Sequence, residues 1–143
     1  MLNADSFGIV VDRDSHCRSR EKMEACIKQC SENGFGCYIS NPCFEFWLLL
    51  HLCDVDKEFN DNEKDEFIIN KRVSNKHSYI GKIVSERAGH GKAISASVFD
   101  SKYFPNIPQA IERAKSFATK YPDILDKPGT NLPDLFAKIG YLS

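Results

Sequence analysis

A β-branched run, Phe7-Gly8-Ile9-Val10-Val11, stops abruptly at Asp12-Arg13-Asp14, and a second apolar run, Gly36-Cys37-Tyr38-Ile39-Ser40, follows an amphipathic stretch. This order restricts the fold more than any other feature of the chain. The first run reads as a buried strand carrying two acids at its carboxyl end. Residues 19–33 read as a helix: Met23, Cys26, Ile27 and Cys30 share one face, while Glu21, Lys22, Glu24, Lys28 and Glu32 take the other. Asn33-Gly34 stops it. Strand, helix, strand predicts parallel pairing through a helical crossover, the unit of α/β proteins.

Asn41-Pro42 then predicts a helix start, with Asn as N-cap and Pro at the first helical position. The helix, Cys43 to Leu52, is apolar almost all round and is expected to be buried on several sides. Further helices are predicted over Tyr79–Arg87, 108–120 and Pro133–Ile139, with a turn at Asp126-Lys127-Pro128-Gly129. The 143 residues fit one domain, 1–143. With 42% hydrophobic and 27% charged residues and a net charge of −1, the composition excludes a disordered chain, a globally cationic nucleic-acid coat and a strongly acidic mimic. It leaves room for a local basic surface. The longest apolar run, Phe46 to Leu50, is far short of the ~20 residues of a bilayer span. No signal-peptide pattern is present, so a soluble cytoplasmic protein with no membrane partner is expected. On that reading the six cysteines are free thiols acting mostly as small buried hydrophobes. Cys26 and Cys30 lie four apart, but the chain has no CxxC pair and a zinc finger is not indicated.

The clearest chemical signal is Asp12-x-Asp14. On extended chain, two residues apart, both carboxylates point the same way. They leave the strand's carboxyl edge, where open α/β sheets place ligands. Two such charges repel unless a cation lies between them, and a hard divalent ion, Mg²⁺ or Mn²⁺, is the natural occupant. Glu45 falls in the first turn of the apolar helix, screened by Phe44, Phe46, Trp47 and Leu49. Such a carboxylate needs a partner, either the cation held by the aspartates or Arg13. Asn41 comes off the second strand beside Asp12, as a site residue or a plain N-cap. His51 lies about 240° round the helix from Glu45 and reads as a core or C-cap histidine. Residues 54–66 carry a local charge of −5 and read as a solvated loop and helix start. Residues 71–92 carry +5, and Lys71, Arg72, Lys76, Lys82, Arg87 and Lys92 are candidate phosphate contacts. His90, between two glycines, reads as mobile and is given no role.

Val10-Val11-Asp12-Arg13-Asp14 and the string Ile39-Ser40-Asn41-Pro42-Cys43-Phe44-Glu45-Phe46-Trp47-Leu48-Leu49-Leu50-His51 resemble the RloB-like family. Ala110–Lys115 and Gly129–Leu132 resemble that family's closing segments. The resemblance implies a prokaryotic protein of restriction and abortive-infection loci, acting in phage defence beside an ABC-type ATPase. It also implies an α/β, Toprim-like (Rossmann-like) parallel sheet flanked by helices, with a helical C-terminal part. By that likeness Asp12 and Asp14 match the Toprim aspartate pair that carries Mg²⁺, and Asn41, Glu45 and His51 match positions characteristic of the family. Toprim domains open with a strand ending in glutamate. Six residues precede Phe7 and none is Glu, so an N-terminally truncated version is expected, with Glu45 the only substitute for that acid. A strand left without its neighbour exposes backbone groups, and self-association as a homo-oligomer is the consequence.

Three functions compete. The leading one is a Mg²⁺-dependent nuclease, or its degenerate remnant, in which Asp12, Asp14 and Glu45 hold the metal, Asn41 assists, and the basic stretch grips nucleic acid. The second is a non-catalytic interaction or regulatory module of the ATPase. The third is a haloacid-dehalogenase-like phosphatase, which also opens with strand-DxD but needs a later acidic pair following a strand.

Overall fold

A computed structural model describes residues 6–141. Three strands, β1 (Gly8–Asp12), β2 (Gly36–Asn41) and β3 (Gly129–Thr130), form one sheet in that order. β1 and β2 run parallel, with Asp12 opposite Ser40, and β3 runs antiparallel to β2. The fold is therefore α/β, with a mixed rather than purely parallel sheet.

The crossover between β1 and β2 is α1 (Arg20–Glu32). Ser19 caps it by accepting from the Lys22 amide, and the last turn ends at Asn33 with Gly34 at φ 72°. Its buried side packs Met23 against Ile39, Ile124 and Leu125. On the other side of the sheet lies the main core, built around α2 (Phe44–Leu52). Phe46, Leu49 and Leu50 of α2 are fully buried, as its apolar circumference predicts. α5 (Tyr79–Ala88) contributes Ile80 and Val84 to the same core, and α7 (Ile107–Ala114) contributes Ala110 and Ala114. The small α7 residues allow close approach to α2.

Several expectations are corrected. β1 is not buried: it is the sheet edge among the described residues, and Ile9 and Val10 are exposed because only β2 pairs with it. Asn41 is not a helix cap. β2 runs through it, Pro42 follows in cis, and α2 starts at Phe44 with Cys43 as N-cap. Residues 54–66 are more ordered than a solvated loop. They form α3 (Val55–Glu58) and the start of α4 (Asp61–Ile69), anchored by buried Val55, Phe59 and Phe67. α4 opens with a capping box between Asn60 and Glu63. Three residues, Ala96–Val98, form α6. The helix expected over 108–120 ends at Ala114, because Ala118 leaves helical pairing to bond the backbone of Pro128 and Thr130. Gly129 is required there, since a Cβ on it would stand 1.9 Å from the Ala118 carbonyl oxygen. The turn expected at 126–129 thus leads into β3, which two residues of sequence do not announce. The last helix, α8 (Leu132–Lys138), follows directly.

Candidate active site

Asp12 is the last residue of β1, and its Oδ1 accepts a 2.9 Å hydrogen bond from the Phe44 amide in the first turn of α2. The carboxylate thereby supplies, from another element, the cap that Cys43 does not give. This contact ties the DxD strand to the helix that carries Glu45. Asp14 lies past the strand at φ 38°, so the extended-chain argument for parallel carboxylates does not hold. A turn replaces it: the Asp14 amide donates to the Pro42 carbonyl, and the Asp14 carbonyl accepts from Cys17 and Arg18. Asp tolerates this left-handed backbone better than most side chains.

Asp12, Asp14 and Glu45 nevertheless line one cleft of about 590 Å³, within the usual range for ligand pockets. Burial holds the Asp12 carboxyl above the usual carboxylate range; the Phe44 amide opposes this, while the charges of Glu45 and Asp14 add to it. The same negative field reaches the Cys43 thiol, which burial and Glu45 push up. Glu45 also adds to the burial that raises Tyr103 to about 12. The charge of Glu45 therefore reaches Asp12, Cys43 and Tyr103.

The cleft also carries positive charge. Asn70 ends α4 in a left-handed conformation, accepts from the Ile80 amide and donates to Cys43 Sγ, fixing α4, α5 and the start of α2 together. From there residues 71–78 fold back on themselves through a bridge between Arg72 and Ser78, and Ser78 caps α5. Lys71, Arg72, Lys76 and, beyond α5, Lys92 line the cleft. Among the described residues none of these four is paired with a carboxylate. Lys82 and Arg87 are different. They reach Glu86 and Glu58, respectively, and do not line the cleft.

Three other site candidates point elsewhere. Asn41 is 3% exposed and its amide donates to the Ile124 carbonyl. Arg13 is buried too, donating to the carbonyls of Leu125 and Arg18, and is not Glu45's partner. His51 is a core residue hydrogen-bonded through Nδ1 to the Trp47 carbonyl and packed edge-on against Trp47 and Tyr103. Burial lowers its pKa to about 4, against the opposing pull of that carbonyl. The unfolded chain takes up this proton near pH 6.5, the folded chain only near 4, so stability falls as pH drops through that window. The expected loss is about 3 kcal/mol between pH 7 and 4. Urea unfolding across that range should show it, with a shallower slope in His51→Gln.

One site residue escaped the sequence reading. His90 lines the cleft with both ring nitrogens engaged, Nδ1 by the Gly91 carbonyl and Nε2 by the Tyr103 hydroxyl. Nothing in the Gly-His-Gly string announces a partner thirteen residues on.

A divalent ion fits this donor set in a particular way. The carboxylates do not form a closed cage: among the described residues, the metal-ligating trio gathered within 4.8 Å is Cys26, Cys30 and Cys37 instead. Mg²⁺, however, characteristically keeps several waters and needs only one or two carboxylates, and the cleft is lined by three.

Residues 2–139 match the sequence profile of RloB-like proteins. The chain belongs to the RloB-like family. The match spans nearly the whole RloB-like chain, including every residue of the cleft. No curated protein and no solved structure matches it. Among its described residues no helix is long and apolar enough to cross a membrane.

Proposed function

We propose that this RloB-like protein is a divalent-metal-dependent phosphodiesterase acting on nucleic acid, with a Toprim-like use of Asp12 and Asp14. The observation that supports the reading is that three carboxylates line one cleft with four cations that have no carboxylate partner among the described residues. Charges of both signs in one cleft suit a phosphodiester bridged to a cation. Mg²⁺ or Mn²⁺ would be held by Asp12 with Asp14 or Glu45, and would supply Lewis-acid polarisation and a more acidic bound water. Lys71, Arg72, Lys76 and Lys92 bind the backbone and keep the scissile phosphate facing the acids. His90, whose two ring nitrogens are held by the Gly91 carbonyl and the Tyr103 hydroxyl, shapes the cleft wall beside Lys92. The buried Phe46–Leu50 face behind Glu45 keeps bulk water from the acid wall.

The test is cleavage of plasmid and single-stranded substrates with Mg²⁺ or Mn²⁺. Cleavage that requires the metal and Asp12 supports the reading; no cleavage, or cleavage indifferent to Asp12, removes it. The two groups of cations give a separate prediction. Lys92→Ala should weaken nucleic-acid binding and lower the slope of log K against log salt by about 1, whereas Lys82→Ala should leave the slope unchanged. Fluorescence anisotropy at several salt concentrations reads both.

A second reading has its own support. Among the described residues β1 leaves an unpaired edge, with Phe7 and Val10 exposed beside Phe35 and Ile139, an apolar surface that suits pairing with another chain. On that reading the protein is an interaction module, self-associating or docking an ABC-type ATPase in phage defence. The phosphatase reading has none: the acids of 54–66 lie on α3 and α4, follow a helix, and do not line the cleft.

A further inference from the structure

Away from the acidic cleft, three thiols converge. The four-residue spacing of Cys26 and Cys30 puts both on one face of α1. Cys37, near the start of β2, shares its strand face with Ile39, which packs under α1. The three Sγ atoms lie within 4.8 Å of one another, and all six cysteines of the chain are unbridged. None of the three lines the cleft of Asp12 and Glu45.

We propose that Cys26, Cys30 and Cys37 form a binding site for a thiophilic d¹⁰ cation, Zn²⁺, that clamps α1 to β2. Tetrahedral Zn²⁺ with Zn–S bonds of about 2.3 Å needs sulfurs about 3.8 Å apart. Rotation of the two outer side chains closes the difference from the separation seen here. The burial gradient sets the coordination. Cys30 is 5% exposed and forms the floor, while Cys26 and Cys37 are half-buried at the mouth. Three protein ligands with an open side leave the fourth position to water or to an incoming ligand. Thiolate ligands select Zn²⁺ over Mg²⁺, so the two candidate metal sites do not compete for one ion. Arg18 brings a positive charge near Cys26 and offsets the excess negative charge of three thiolates around a dication.

The full-length chain, reduced and stripped of metal, is titrated with Co²⁺ or Cd²⁺ while thiolate-to-metal charge-transfer absorption is followed, and Zn²⁺ is then added. The expected result is saturation at one equivalent per chain with the intensity of three thiolates. Zn²⁺ should displace Co²⁺, Mg²⁺ should not, and the thermal midpoint should rise with Zn²⁺. Cys26→Ser and Cys37→Ser should each weaken binding at least tenfold, and Cys17→Ser and Cys53→Ser should leave it unchanged. Far-UV circular dichroism verifies that the variants are folded; the mouth positions tolerate an isosteric change. Absence of saturable one-to-one binding overturns the proposal, as does a signal of fewer than three thiolates, or one that survives Cys26→Ser and Cys37→Ser in folded protein.

Discussion

Asp12→Asn is expected to lower metal-dependent cleavage on the order of 100-fold or more while leaving the protein as stable as the wild type. Asparagine keeps a side-chain oxygen for the Phe44 amide, so the link between β1 and α2 survives. It removes one charge from a group already strained by burial and by Glu45 and Asp14. Repulsion in the cleft is relieved, and the proposed metal site loses the charge of one of its oxygens. Losing a hydrogen-bonding support of a metal ligand alone typically costs 10–100-fold, and loss of the ligand's charge costs more. Asp12→Ala separates the two roles. It should be equally inactive but also less stable by about 1 kcal/mol, because α2 loses its cap. Initial rates with Mg²⁺ and thermal melts on the same preparations distinguish these outcomes.

Phe46→Ala is expected to have the largest effect on stability, about 3–5 kcal/mol. Phe46 is fully buried, with ring edges against Phe67 at 6.0 Å and Phe117 at 5.1 Å. It thus joins α2, α4 and the segment after α7, and no neighbour is free to fill the cavity its loss would leave. The thermal midpoint should fall by about 10 °C or more. Phe44, two residues earlier and 37% exposed, is the control: Phe44→Ala should change stability by about 0.5 kcal/mol or less, since the amide that bonds Asp12 is retained. Because α2 carries Glu45 at its first turn, Phe46→Ala should also slow cleavage at temperatures well below its own midpoint.

The elements most legible in the sequence are those with strong local signals. α1 has its 3–4 periodicity and its Asn33-Gly34 stop, and α2 its nearly unbroken apolar surface. Less legible were the features decided by distant partners. β3 exists because Gly129 and Thr130 meet β2 and Ala118 across the fold. Arg13 looks like a site residue beside two aspartates, but the carbonyl of Leu125 draws it into the interior. The basic run reads as one patch by composition, yet the helical geometry of α5 carries Lys82 and Arg87 away from the cleft while the folded loop 71–78 turns Lys71, Arg72 and Lys76 into it. His90 and the cysteine trio were hidden for the same reason. The Cys26–Cys30 spacing is visible, but Cys37 joins them only across the turn from α1 to β2, and no fixed spacing encodes that meeting or the one between His90 and Tyr103.

Mn²⁺ added to isotopically labelled protein reports the position of the bound ion without relying on turnover, because amide resonances near it broaden. Selective broadening around residues 12–17, 42–45, 69–72 and 90–92, lost in Asp12→Asn, is the predicted result. Broadening centred on the acidic surface of α3 and α4, or a pattern unchanged by Asp12→Asn, would contradict a cation-holding cleft between Asp12 and Glu45.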